Sequence, residues 1–318
     1  MRVASRPSRF GVAAADFAAT LDWIEQRAGA LDLTGVAFHL DSIGTSEKAV
    51  ALAGCLAALD ACRARGLRPW SVDIGGGFGV NYLADGSQWE RYTSALTEAM
   101  LGRRAPLTWN GHGYGLRAER GTIRGSLSVY PAYRPLAGAA YLDRLLRTDE
   151  PSHRRPLGAL LLDSMYDLHV EPGRALLDQC GIVLATVLAV RDSGGEPAVL
   201  LDLNARDVSI EEHGVLMDPV VVHRGEPGET GPFGGYLFGN LCLEADLITR
   251  RKVFLPSRPR AGDLLAFVNT AGYLMDFSAT RALRQPVGRK VAMYRDGGRW
   301  AWCLDERYWP VRTRTETA

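Results

Sequence analysis

The sequence predicts an α/β chain in two parts, with parallel βα units up to about residue 179 and a β-rich segment over 180–318. Three observations carry this reading. Apolar strand-like runs alternate with helix-length segments in the first half. One of those strands ends in consecutive glycines, Val72-Asp73-Ile74-Gly75-Gly76-Gly77-Phe78-Gly79. Beyond Asp178 the apolar runs become short and are punctuated by Gly, Pro and Asp.

Residues 13–30 place Phe17, Leu21 and Ile24 at helical spacing, and a short break then leads into a strand at 34–40. A helix is predicted from about Ser46 to Arg65 and a strand over 69–74. This alternation argues for βα units on a parallel sheet. In the second half, strands are predicted at Ile182 to Val190, Val199 to Leu203, Val220 to Val222, Leu264 to Val268 and Val291 to Tyr294. A helical pattern is visible only near 242–250.

Composition narrows the function classes. The 318 residues suffice for a large domain plus a smaller one, and the net charge of +1 gives no reason to invoke nucleic acid or an acidic membrane surface. Cysteines 55, 62, 180, 242 and 303 have neither a metal-site rhythm nor an even count, so no zinc site or disulfide framework is indicated. Met1-Arg2-Val3-Ala4-Ser5 does not read as a signal peptide, and no stretch is long enough to span a bilayer. The expected location is the cytoplasm.

Two motifs look like walls of one anion site. A strand that stops at Gly75, Gly76 and Gly77 leaves backbone N–H groups open to a phosphate. A second strand ends in Glu171-Pro172-Gly173-Arg174, where Arg174 offers a guanidinium fork to the same anion. Each motif alone also fits an ordinary tight turn or a strand-to-helix corner. Val36-Ala37-Phe38-His39-Leu40-Asp41-Ser42 reads as a buried strand that delivers His39 at its carboxyl end. Downstream lie Gly239-Asn240-Leu241-Cys242-Leu243-Glu244-Ala245-Asp246, Pro259-Arg260-Ala261-Gly262-Asp263 and Asn269-Thr270-Ala271-Gly272-Tyr273.

In order and spacing these landmarks resemble the fold-type III pyridoxal-phosphate decarboxylases, the group of ornithine, arginine and diaminopimelate decarboxylases. The resemblance runs from Arg9-Phe10-Gly11 to about Tyr294, and it speaks to fold and cofactor more than to substrate. It implies the later part of a (β/α)8 pyridoxal-phosphate-binding barrel over 1–179, followed by a C-terminal β domain over 180–318. An aromatic-rich excursion at about 103–155, with Trp109, Tyr114, Tyr130 and Tyr133, would lie over the carboxyl ends of the barrel strands. A lid, a partner surface and a packed ornament are all open for it.

The resemblance also implies roles. Gly75, Gly76, Gly77, Gly173 and Arg174 would cradle the cofactor phosphate, with the Tyr273 hydroxyl joining from the second domain. Glu171 would pair with the pyridine nitrogen, and His39 would stack on the ring. Cys242 would act as a proton donor reaching the site of a neighbouring subunit in a homodimer with shared active sites. Asp218 and Asp246 would contact an amino-acid substrate. Outside the resemblance, Glu171 reads as a helix-terminus ion pair, and His39 and Cys242 as core residues.

Two departures bear on function. The position after the cysteine, usually acidic in members that act on basic amino acids, is Leu243, with Glu244 one place along. An aliphatic residue cannot compensate a cation, so a substrate other than ornithine or meso-diaminopimelate is favoured, with Glu244 and the 103–155 excursion open as other sources of the charge. The Schiff-base lysine of the family, carried on its first barrel strand, has no counterpart here. The chain aligns from about the fifth strand, around Met1–Ser5, and its lysines are Lys48, Lys252 and Lys290. Lys48 is expected on the helix after the histidine strand and the other two in the β domain.

The expected function is therefore a decarboxylase-like protein that is N-terminally truncated or split and needs a separate half for activity. A partial barrel would expose apolar surface and an unpaired strand edge, which favours such a partner. A catalytically inactive homologue acting as a binding or regulatory protein, and a pyridoxal-phosphate-dependent racemase, are the alternatives.

Overall fold

The computed structural model describes residues 10–41, 44–150, 153–225 and 230–308, so the strand expected around Met1–Ser5 lies outside the described residues. Helix α1 (Phe17–Glu25) leads to β1 (Gly35–Ala37), α2 (Ser46–Ala64), β2 (Ser71–Asp73) and α3 (Gly86–Met100). The predicted βα alternation is therefore present.

Helix α2 is rich in alanine, the residue with the least to lose in a helix. Its fully buried stripe is Lys48, Leu52, Cys55, Leu59 and Cys62, at alternating spacings of four and three. Helix α3 starts at Asp85, whose carboxylate accepts from Ser87 N at 2.8 Å, while Gln88 Oε1 accepts from Asp85 N at 3.3 Å in a reciprocal cap.

The segment after α3 carries a hairpin of β3 (Leu116–Glu119) and β4 (Thr122–Gly125), then α4 (Gly138–Leu146) and the short pair β5 (Asp149–Glu150) and β6 (Arg155–Pro156). Helix α5 (Leu157–Asp163) and β7 (Asp167–His169) complete the first part. Strands β1, β2 and β7 form a parallel sheet in that order, with Ala37 beside Asp73 and Asp73 beside His169. Their buried faces share one core with α2, α4 and α5, through Val36, Val72, Ile74, Leu59, Tyr141 and Leu157.

The second part contains β8 (Ile182–Ser193), β9 (Glu196–Leu201), α6 (Ile210–His213), β10 (Val220–Val222), β11 (Thr230–Phe238), β12 (Leu247–Ser257), β13 (Leu264–Val268), α7 (Tyr273–Asp276), β14 (Val291–Asp296) and β15 (Arg299–Leu304). Six strands form a sheet in the order β10-β13-β8-β9-β11-β12, in which β9 and β11 run parallel and the other neighbours antiparallel. A second core of Val187, Val199, Leu201, Phe233, Leu237 and Phe267 fills its inner face.

The sequence pattern misleads at two places. The helical spacing near 242–250 resolves into a turn followed by β12. The Asp246 carboxylate accepts from Ala205 N at 2.9 Å and Leu241 N at 2.8 Å, and Leu247, Ile248 and Thr249 are buried in succession, as in a strand covered on both faces. Strand β11, Thr-Gly-Pro-Phe-Gly-Gly-Tyr-Leu-Phe, reads in sequence as punctuation because of its glycines and proline, yet it pairs on both sides.

The excursion is packed into the molecule. Tyr141 of α4 belongs to the first core, Tyr114 forms a cluster with Leu96 and Val215, and Trp109 meets Tyr236 and Phe238 edge-on at 5.1 and 5.2 Å. Among the described residues, no helix is long and apolar enough to cross a membrane.

Leu59 is fully buried between α2 and the parallel sheet. Leu59→Ala is expected to destabilise the chain by about 2–5 kcal/mol, read from the shift of the urea unfolding midpoint.

Candidate functional site

The parallel register carries three strand ends to one level. Just beyond the strands, Phe38 N donates to Asp73 O at 3.0 Å, Ile74 N to His169 O at 3.1 Å and Glu171 N to Gly75 O at 3.1 Å. His39, the glycine turn and Glu171 therefore emerge side by side.

They line a cavity of about 320 Å³ with Asp41, Tyr130, Arg134 and Arg174. Tyr273 and His213 close it from the second part of the chain. His39 Nδ1 lies 2.9 Å from Glu171 Oε2, and both side chains are more than half exposed towards this space.

The glycines are required by close approach as well as by the turn. Gly75 and Gly77 have φ of +64° and +87°, and a Cβ on Gly76 would lie 2.9 Å from the His39 ring and 3.2 Å from Glu171 O. Gly79 serves a different neighbour: its Cβ would fall 2.4 Å from the Arg134 side chain.

The carbonyls of the turn are held from behind. Lys48 Nζ donates to Ile74 O at 3.0 Å and to Gly76 O, Glu171 N takes Gly75 O, and Arg134 Nη1 reaches Gly77 O at 3.3 Å. The N–H groups of Gly77 and Phe78 have no acceptor among the described residues.

Arg174 sits across the cavity with Nη1 buried and without a partner among the described residues, and its guanidinium carbon is 5.4 Å from the Tyr130 ring centre and 5.8 Å from that of Tyr82. A Cβ on Gly173 would lie 3.7 Å from the Tyr273 hydroxyl, so that hydroxyl borders the same corner.

Three expected site residues lie elsewhere in the chain. Cys242 is exposed and lines a separate cavity of about 530 Å³ with Phe238, Glu244 and Asp246. Asp246 is buried in the turn described above, and Asp218 forms an ion pair with Arg251.

Sequence reading missed several groups that the fold brings to the cavity. Arg134, only 4% exposed, enters from the excursion and bonds Asp41 at 3.1 Å. Tyr130 stacks on His213 at 4.9 Å between ring centres, and its backbone N–H donates to Glu212 O at 2.9 Å. Asp41 could have been found two residues past His39 on the same strand face. Arg134 and Tyr130 left no periodic signal. Burial, with the nearby Arg174 charge adding to it, lowers the His213 pKa to about 4. Among the described residues, no cluster of His, Cys, Asp and Glu is suited to hold a metal ion.

Residues 2–122 match the family model described as the pyridoxal binding domain of pyridoxal-dependent decarboxylases. The chain is 29% identical over 272 residues to the uncharacterized protein y4yA of Sinorhizobium fredii, which covers 84% of this chain and 55% of that protein. Among solved structures it is similar to the Paramecium bursaria Chlorella virus arginine decarboxylase, at 16% identity and a TM-score of 0.57, over 87% of this chain and 58% of that one. It is also similar to the Vibrio vulnificus lysine/ornithine decarboxylase, at 18% identity and a TM-score of 0.54, over 89% and 60%. The M. jannaschii diaminopimelate decarboxylase matches at 15% identity and a TM-score of 0.56, over 89% and 52%. The chain thus spans a little over half the length of these relatives, and the likenesses to solved structures speak to fold.

The cavity fits pyridoxal phosphate on its own terms. It combines a side-chain-free turn with open N–H groups, a buried guanidinium nitrogen lacking a partner, and a carboxylate and imidazole set against each other. This donor set suits a phosphorylated pyridine.

Two outcomes follow from this geometry. Gly76→Ala must displace the His39 ring and is expected to weaken pyridoxal phosphate binding by about tenfold or more in equilibrium dialysis. His213 is depressed on folding, so the folded state resists protonation that the unfolded state accepts. Its contribution to stability is complete above the ordinary histidine value of 6.5 and is lost as pH falls from there towards about 4. His213→Gln should therefore flatten the fall of the melting temperature across that window.

Proposed function

We propose that this chain, which carries the fold of the fold-type III pyridoxal-phosphate decarboxylases and takes pyridoxal phosphate as its cofactor, forms the phosphate- and ring-binding part of an amino-acid decarboxylase. The observation that carries the reading is the meeting of Glu171 and the glycine turn at one cavity, through the Glu171 N to Gly75 O bond of 3.1 Å.

Bound pyridoxal phosphate supplies an electron sink for the pair left when a bond to the Cα of an amino acid breaks. The residues of this chain hold that chemistry in place. Arg174, the open turn N–H groups and the Tyr273 hydroxyl bind the phosphate. The 2.9 Å contact with His39 fixes the orientation of the Glu171 carboxylate, which would hold a proton at the pyridine nitrogen, and the imidazole would lie against the ring. Cys242, exposed in its separate cavity, would reach the site from a second copy of the chain and would serve there as a proton donor.

The covalent anchor is a separate matter. Lys252 pairs with Glu196 at 2.5 Å and Lys290 contacts Asp276, both away from the cavity, while Lys48 is buried behind the turn. In this proposal the anchoring lysine comes from a further polypeptide segment, and the substrate is an amino acid without a distal cation, in keeping with Leu243. A regulatory homologue that binds the cofactor without turnover is the second reading, favoured by the placement of those same three lysines.

The test combines the chain with a segment carrying the first barrel strands of a related decarboxylase. Visible absorbance of a lysine-bound cofactor and release of carbon dioxide from a screened set of amino acids are expected only in the combination. Glu171→Gln should lower the rate by about a hundredfold or more, since the pyridine nitrogen then loses its charge partner. Cofactor binding with no carbon dioxide release from any amino acid would support the regulatory reading instead.

A further inference from the structure

We infer that Lys48 is a positioning residue of the phosphate site, a buried cation that holds the back of the glycine turn and takes the incoming phosphate as its counterion. This rests on the cofactor reading above, with the phosphate at the turn.

Lys48 occupies a place in the α2 stripe where an apolar residue is expected, four residues before Leu52, and it is fully buried. A lysine costs more to bury than any side chain the stripe otherwise uses, unless an anion compensates it. Among the described residues no carboxylate contacts it: Lys48 makes no ion pair there, and its hydrogen bonds go to the carbonyls of Ile74 and Gly76.

The surroundings fit a cation that needs an outside partner. The rings of Phe38, Phe78 and Tyr141 lie 6.0, 5.6 and 5.7 Å from Nζ, and their faces tolerate a cation without neutralising it. The Tyr141 hydroxyl is turned away to Gly44 O. Asp41, Asp73 and Glu171 are the carboxylates whose fields reach Lys48. Each is engaged elsewhere: Asp41 with Arg134, Asp73 with Gly75 N at 2.8 Å and Glu171 with His39.

Two effects on the phosphate follow. By drawing the carbonyls of Ile74 and Gly76 inward, Nζ fixes the peptide planes of the turn, and the N–H groups of Gly77 and Phe78 remain free for an anion. A Cβ on Gly77 would stand 3.3 Å from Nζ, so only the thickness of the turn separates this charge from the cradle. Desolvation lowers the Lys48 pKa to about 8, with the three carboxylates opposing the shift. Without a ligand, the charge is therefore lost in mildly alkaline solution, and a bound phosphate favours its retention. Burial pushes Tyr130, which lines the cavity, and Tyr82, beside Arg174, above their ordinary values.

The test uses the full chain and two probes that cannot react with amines, pyridoxine 5′-phosphate and pyridoxine, titrated calorimetrically from about pH 7 to about pH 10. The ratio of their dissociation constants isolates the phosphate. In the unsubstituted chain, the advantage of the phosphorylated probe is expected to fall by about tenfold as pH rises through the window above 8. Lys48→Met should begin about tenfold weaker for the phosphorylated probe at the lower pH, and its ratio should be flat.

A flat ratio in the unsubstituted chain, or a variant whose ratio and profile match it, overturns the inference. If Lys48→Met does not fold, the profile of the unsubstituted chain decides alone. Failure of pyridoxine 5′-phosphate to bind at any pH removes the cofactor reading itself, a result separable from a flat ratio.

Discussion

The structure depends on the parallel register of β1, β2 and β7. With Ala37, Asp73 and His169 at one level, the next residues of each strand must leave the sheet together. His39 and Glu171 are 132 residues apart in sequence, yet their proximity to each other and to the glycine turn follows from backbone hydrogen bonds alone. A slip of one residue in any strand would send the side chains to the opposite face and empty the site. The buried faces of Val36, Val72 and Ile74 hold that register, so the first core and the cavity are consequences of one alignment.

Much of this was legible in the sequence, for physical reasons that can be named. The alternation of strand and helix, the length of α2 and the meeting of the glycine turn with the Glu171–Arg174 segment all rest on local preferences, periodicity, glycine freedom and the side-chain-free turn. The pattern at 242–250 failed because Leu243 and Leu247 lie four apart, as on a helix, while the burial of Leu241, Leu247 and Ile248 makes the segment a turn and a strand and leaves Leu243 exposed. Strand β11 failed for the opposite reason: its glycines lower its local preference, and pairing with β9 and β12 overrides that. Arg134 could not be placed at all, because its role comes from a long excursion folding back onto Gly77 and Asp41.

That excursion is a structural participant. Gly79 looks in sequence like one more glycine of the phosphate turn, yet its missing side chain makes room for Arg134. Tyr130 lies between Arg134, Arg174 and His213, and its backbone ties the excursion to α6. The cavity therefore has walls from three sources: the parallel strand ends, the excursion and the second part of the chain. A change in the excursion that left the sheet untouched would still alter the charge and shape presented to a ligand.

Lys48 also has a meaning for α2 itself. An alanine-rich helix with a smooth apolar stripe has little to stop it sliding along a sheet, because a shift of one turn, about 5.4 Å, exchanges one small or aliphatic contact for another. A single ammonium that must find the carbonyls of Ile74 and Gly76 removes that freedom. It acts as a key in a slot, and the helix carrying it can dock in only one position.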